Sequence, residues 1–195
     1  MEKTKVQAQF LDPFHLATQD SLAQNLFADG GSDVFALQGT PLGSSSLGTT
    51  VMTGGGGVEK YWLANMWGNA VITDFNAVHG DRVMIGGVSD LTIANLGTVG
   101  FQYVHSAYDT ANSGNVDLLI TFGGTSNTAQ SITLINFQSQ DTGGAGGAMQ
   151  FNNLTVTDPQ TAEAALSQIF DFNAADNQGV TNQIAALAAQ HLILH

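Results

Sequence analysis

Three aspartates are the residues best placed to do chemistry. Asp74 ends the alternating run Val71, Thr73, Phe75, and the tight loop 76–80 follows it. Asp81 then opens the short apolar run that holds Val83 and Ile85, so two carboxylates stand at the two ends of one loop. Upstream, Asp33 follows Gly30-Gly31-Ser32 and directly precedes Val34-Phe35-Ala36-Leu37. Hard cations such as Ca²⁺ take roughly six to eight oxygens from carboxylates and backbone carbonyls. Gly-Asp turns between short strands offer both kinds of oxygen. The other chemistry open to Asp33, Asp74 and Asp81 is local: each caps a turn by accepting backbone N–H groups.

Loops of this kind need strands to hold them. Residues 33–157 carry short runs of Val, Ile, Phe and Thr between clusters of Gly, Asn, Asp and Ser, which read as β. The runs are Asp33–Leu37, Lys60–Asn65, Ala70–Phe75, Arg82–Ile85, Leu91–Ala94, Phe101–His105, Asp117–Phe122, Ser131–Phe137 and Met149–Val156. Residues 13–28 read as a helix, with Pro13 at its first position after Asp12 and Gly30-Gly31 to stop it. Residues 158–195 read as a helical pair. One helix starts at Asp158-Pro159; the other is capped by Thr181 and has Ile184, Leu187 and Ala188 on one face. The glycine tracts Gly43–Thr50, Gly54–Gly57 and Gly143–Gly147 read as surface loops, with close approach of the backbone to a ligand as the second use of such a tract. No repeat of fixed period stands out. The expected architecture is mainly β, β-roll-like or β-sandwich-like. An N-terminal helical segment (1–28), a β domain (29–157) and a C-terminal helical segment (158–195) pack as one domain.

Composition narrows the functions. The 195 residues hold 16 Asp and Glu against 4 Lys and Arg, a formal net charge of −12, with 23 Gly and no Cys. Four cations cannot neutralise many phosphates, which argues against nucleic acid and against docking on an anionic membrane. The absence of cysteine removes disulfides, thiolate metal sites and a cysteine nucleophile. No apolar run is long enough to span a membrane, and none follows the N-terminal lysines as in a secretory leader.

The stretches Gly30-Gly31-Ser32-Asp33-Val34-Phe35, Asn69-Ala70-Val71-Ile72-Thr73-Asp74-Phe75 and Asp81-Arg82-Val83 resemble the C-terminal region of RTX (hemolysin-type, calcium-binding) proteins. The likeness covers roughly residues 29–138. It departs from the family in two ways: the full nonapeptide Gly-Gly-x-Gly-x-Asp-x-apolar-x does not occur, and Ala70 stands where an acid is usual. The resemblance therefore implies one or two isolated Ca²⁺ sites, or none, at Asp33, Asp74 and Asp81, and not a stack of calcium-filled turns. It also implies an extracellular, bacterial structural, adhesive or accessory protein, able to self-associate. The type I secretion machinery would export it through an uncleaved C-terminal signal.

Two other constellations carry alternative functions. Alternation puts Phe101, Tyr103 and His105 on one strand face near Tyr108, and a Tyr/His pair can ligate haem iron. Tyr61, Trp62, Met66 and Trp67 form an aromatic patch able to line an enzyme pocket, or to pack a core. His79, in the Asp74–Asp81 loop, faces solvent on this reading.

Overall fold

Short runs rich in aromatic and β-branched residues pair into sheets when neighbouring runs offer matching edges. In the computed structural model they form two sheets. The structure describes residues 9–11, 14–19, 24–28, 31–39, 48–64, 68–86, 98–108, 116–122, 131–141, 151, 153–157, 166–173, 178, 179, 182 and 186. Twelve strands lie among them: β1 (Gln9–Leu11), β2 (Phe14–Gln19), β3 (Gln24–Phe27), β4 (Val34–Gly39), β5 (Thr49–Thr53), β6 (Lys60–Ala64), β7 (Asn69–Ile72), β8 (Arg82–Gly86), β9 (Val99–Val104), β10 (Asp117–Phe122), β11 (Ser131–Leu134) and β12 (Leu154–Val156).

The first sheet has the order β1-β2-β4-β6-β8, and the second β12-β9-β10-β11-β7-β5-β3. From β2 to β8 the chain alternates between them, one strand in each sheet per coil. Parallel pairing follows from that path: β2 with β4, β4 with β6 and β6 with β8 in one sheet, β3 with β5 and β5 with β7 in the other. A parallel pair needs a crossover, and here the strand of the opposite sheet supplies it. The result is a roll. β11 extends the parallel run beside β7, and β10, β9 and β12 complete the second sheet antiparallel.

The mainly β expectation holds, with differences at particular places. Within 13–28, read as a helix, the described residues form β2 and β3. Helical spacing over so short a stretch is a weak preference. Against it stand a six-residue parallel ladder from Phe14↔Val34 to Gln19↔Gly39 and a four-residue ladder between β3 and β5. β5 takes up the last two residues of the Gly43–Thr50 tract, Thr49 and Thr50; its buried Thr50 and Met52 alternate with half-buried Thr49, Val51 and Thr53. The Leu91–Ala94 run, the tract Gly143–Gly147 and most of the C-terminal helical pair lie outside the described residues. No described helix is long and apolar enough to cross a membrane.

The core fills the space between the sheets. Phe35, Leu37, Tyr61, Leu63, Val83 and Ile85 from the first sheet meet Leu26, Met52, Ala70, Ile72, Leu118, Ile120, Ile132 and Leu134 from the second. Leu166, Ile169 and Phe170 join the same cluster, and Phe170 bridges to Val83 at the free edge of β8. A file of rings runs Phe35, Tyr61, Phe75, Phe137, Phe151, Phe101, with successive centroids 5.2 to 6.2 Å apart. On the other face of the first sheet Ala36, Trp62 and Met84 stand in register and are also buried. Burial on both faces explains why these strands read as continuous apolar runs instead of alternating.

Turns are held by carboxylates. Asp117, fully buried at the start of β10, accepts the Ser106 N–H on Oδ2 (3.1 Å) and the Asn136 N–H on Oδ1 (2.8 Å). It thereby ties the end of β9 to the turn after β11, where Asn136 takes a left-handed conformation (φ 58°). Asp141 takes the Tyr103 hydroxyl and the Phe151 N–H on Oδ2. Replacing Asp117 by Ala strands two N–H donors inside the protein. The expected loss is about 2–4 kcal/mol by urea unfolding; a loss below about 0.5 kcal/mol, the scatter of ordinary surface substitutions, would show that the staple does not matter.

Candidate functional site

The first sheet places an acid immediately before each of three adjacent parallel strands. Asp33 precedes β4, Glu59 precedes β6 and Asp81 precedes β8. The register Val34↔Lys60↔Arg82 stacks these positions one above another. Backbone bonds fix the ladder: the Lys60 N–H donates to the Asp33 carbonyl (2.9 Å) and the Arg82 N–H to the Glu59 carbonyl (3.0 Å). All three acids are buried. Behind each acid and one further residue runs the same pattern, inward aromatic or Val, outward apolar, inward Leu or Ile: Phe35-Ala36-Leu37, Tyr61-Trp62-Leu63 and Val83-Met84-Ile85.

Asp74 approaches from the second sheet, just past β7. Its Oδ1 and Oδ2 accept the N–H groups of Gly54 (2.9 Å) and Gly55 (2.7 Å), in the β5–β6 turn one coil earlier. Asp81 reaches back in the same way: Oδ1 takes the Glu59 N–H (3.0 Å) and Oδ2 the Asn76 N–H (2.8 Å). The turn-capping reading of Asp74 and Asp81 is thus realised in the hydrogen bonds. Asn76 caps its own loop, accepting from Val78 and His79, and His79 is exposed.

Two glycines make room for the cluster. A Cβ on Gly54 would stand 2.5 Å from Glu59 Cγ and 2.8 Å from the Tyr61 hydroxyl oxygen. A Cβ on Gly57 would collide with the Gly31 carbonyl oxygen at 1.6 Å and sit 3.0 Å from Glu59 Oε1. The tract Gly54–Gly57 is thus not simply a surface loop. Buried Gly54 packs against the protein's own acid and tyrosine, and Gly57 against the preceding coil. Glycine there serves close approach, toward protein groups.

Glu59 and Tyr61 complete the cluster. Glu59 is 3 % exposed and its Oε1 has no hydrogen-bond partner; Tyr61 is fully buried with its hydroxyl against Asp74. Burial pushes the Glu59 carboxyl up to about 8, with a hydrogen bond to Asp81 and the charges of Asp81, Asp74 and Asp33 adding to it. Burial also holds the Tyr61 phenol far above its ordinary value, reinforced by the charges of Asp74, Asp81 and Glu59. Two nearby cations point elsewhere: Lys60 Nζ stands 3.9 Å from Asp171, and Arg82 donates to the carbonyls of Ala77 and Asp81. Among the described residues no three His, Asp or Glu side chains form a ready metal cage.

The structure brings Asp33, Asp74 and Asp81 into one region and adds Glu59, which the sequence reading passed over. The acid-x-apolar-apolar-apolar repeat was its signal, hidden by uneven spacing. Among the described residues the other constellations do not assemble into a pocket. Tyr103 is half-buried with its hydroxyl committed to Asp141, while His105 and Tyr108 are exposed. Tyr61 and Trp62 are core residues on opposite faces of β6, and Met66 and Trp67 lie outside the described residues. A shallow hollow of about 250 Å³ on the second sheet, bordered by Gln102, Leu119, Thr121 and Thr155, has no acid or histidine in its lining. No family model, curated protein or solved structure matches the chain.

The Glu59 shift has a direction that stability measurements can read. Between its ordinary value of 4.5 and about 8, folded Glu59 keeps a proton that the unfolded chain has released. The stability this proton carries is complete below the lower value and lost as pH rises through the upper one. The urea midpoint should therefore fall between about pH 5 and about pH 8, and Glu59→Gln should flatten that fall. An unchanged slope in Glu59→Gln would assign the pH dependence to another group.

Proposed function

We propose that this chain is an RTX-like, calcium-dependent module with a structural or adhesive role, exported by a bacterial type I system and acting outside the cell. One observation carries the reading: Asp33, Glu59 and Asp81 stacked at the same register on three adjacent parallel strands, at the turns of a two-sheet roll. Stacked carboxylates repel, and a hard divalent cation relieves that repulsion while tying one coil to the next.

The residues present suit such an ion. Asp33, Asp74 and Asp81 would supply carboxylate oxygens and the glycine turns carbonyls, beside the buried Glu59 Oε1 that has no hydrogen-bond partner. Asp74 and Asp81 already hold backbone N–H groups, so an ion would use their remaining lone pairs. When bound, calcium would supply positive charge and a bridge between coils, not catalysis. The haem alternative has less behind it, because the Tyr103 hydroxyl is engaged with Asp141 and burial holds the phenol in its neutral form well above its ordinary range.

Thermal unfolding of the full chain tests the reading. Extracellular calcium modules bind at about 0.1–1 mM. A ligand that binds only the folded state stabilises it, so adding calcium beyond that range should raise Tm by several degrees over the EDTA-treated protein. Equal Tm values in calcium and in EDTA would overturn it.

A further inference from the structure

We infer that the free edge of β3 is a self-association surface, at which a second copy of this chain pairs its own β3 antiparallel across a two-fold axis. The inference rests on that edge alone and stands apart from the calcium reading.

The borders of the two sheets are closed to different degrees. At β8 the Val83 N–H donates to the Ile169 carbonyl (2.7 Å) and the Asp171 N–H to the Val83 carbonyl (2.9 Å), so the end of the first sheet is shut. β1 and β12 are edges of only three residues, and a very short strand is one way in which proteins blunt a border. β3 ends the second sheet with four residues, and among the described residues no strand lies beyond it. Gln24-Asn25-Leu26-Phe27 has no charge and no proline, the side chains that usually guard an edge.

The ladder with β5 fixes which backbone groups are free. The Ala28 N–H donates to the Thr53 carbonyl (2.9 Å), and Gln24 and Leu26 share that phase of the parallel pairing. Alternate residues of a strand bond to one neighbour, so Asn25 and Phe27 turn their N–H and C=O groups away from β5. Two donors and two acceptors stand on the open side. The side chains of the same two residues are exposed, Phe27 by 56 %, while Leu26 between them is buried in the core.

A second β3 satisfies this edge in one register. With Asn25 opposite Phe27 of the second copy and Phe27 opposite its Asn25, each opposed pair exchanges two N–H···O bonds, four in all. Leu26 meets Leu26 of the second copy on the axis, which joins the two cores. The exposed Phe27 rings become diagonal neighbours, a separation that aromatic side chains span. Such a contact is isologous and closes on itself, so it makes a dimer and not a fibre. Charge also selects the second copy. A basic strand finds no carboxylate on residues 24–28, and two chains of net charge −12 approach best where neither carries charge. Their remaining repulsion falls as salt is added.

Sedimentation equilibrium of the full chain tests the pairing. Wild type should show a monomer–dimer equilibrium at concentrations reaching about 1 mM, the weak end of measurable affinity, and added salt should tighten it. Asn25→Pro removes an N–H that faces away from β5, so the ladder within the monomer is kept. The dimer loses two of its four bonds, one from each copy, and its Kd should rise by about tenfold or more. Phe27→Lys puts a charge on the edge at an exposed position and should weaken the dimer likewise, so it decides the matter if Asn25→Pro folds poorly. Asn25→Ala keeps the N–H and should dimerise as wild type does. Amide exchange in dilute solution distinguishes the other occupants: the Asn25 and Phe27 amides should exchange fast in the monomer. Protection of both amides in the monomer would mean that the chain covers its own edge, and would overturn the inference. A wild type that stays monomeric, a dimer that salt weakens, or a dimer indifferent to both Asn25→Pro and Phe27→Lys would overturn it equally.

Discussion

The structure depends on carboxylates that find their partners in the backbone. With 16 acids and only 4 Lys and Arg, most carboxylates cannot meet a cationic side chain. A roll that passes between two sheets also leaves turn N–H groups without a strand to pair with, and such groups are costly to bury unbonded. Asp74, Asp81 and Asp117 answer both needs at once, each joining two separate N–H groups with its two oxygens. Hydrogen bonds to an ionised acceptor are about twice as strong as neutral ones. A few aspartates therefore fasten the turns between coils whose spacing the parallel ladders set.

Glycine is what lets the carboxylates come so close. Any side chain at Gly57 would strike the Gly31 carbonyl, and any at Gly54 would strike Glu59 and Tyr61. Packing the turns this tightly draws acids from successive coils into one buried region, where water cannot screen them. Glu59 registers that arrangement, since burial and three acid neighbours all push its carboxyl up. A proton on Glu59 answers that electrostatic problem, so the cluster couples pH to the fold.

The aromatic file ties the cluster to the core. Tyr61 stacks on Phe35 with centroids 5.2 Å apart and planes 13° from parallel, and it leans on Phe75 at 6.2 Å. Its ring thus belongs to the packing between the sheets while its hydroxyl reaches the acids. Phe75 sits next to Asp74 in sequence and passes the contact on to Phe137. A disturbance at the carboxylates is therefore felt along the core, because close-packed interiors transmit strain.

Much of this was legible in the residues. The short apolar runs that became β4, β6–β8 and β9–β12 announce themselves, because β-branched and aromatic residues crowd between Gly and Asp turns. That Asp33, Asp74 and Asp81 stand at strand ends could also be read, since each borders a Gly-rich or Asn-rich turn. β2 and β3 could not, because helical spacing within 13–28 is a local preference and the matching edges of β4 and β5 lie elsewhere in the chain. β5 was masked by its glycine-rich approach. Glu59 is easily missed because Val58-Glu59-Lys60 looks like an ordinary solvated stretch and its repeat with Asp33 and Asp81 is unevenly spaced. The sequence by itself determined a β-rich, cysteine-free, anionic chain with carboxylates at its turns, since those are properties of composition and local pattern. Only the tertiary structure decided which acids meet, because parallel register across the coils, not distance along the chain, stacks Asp33, Glu59 and Asp81.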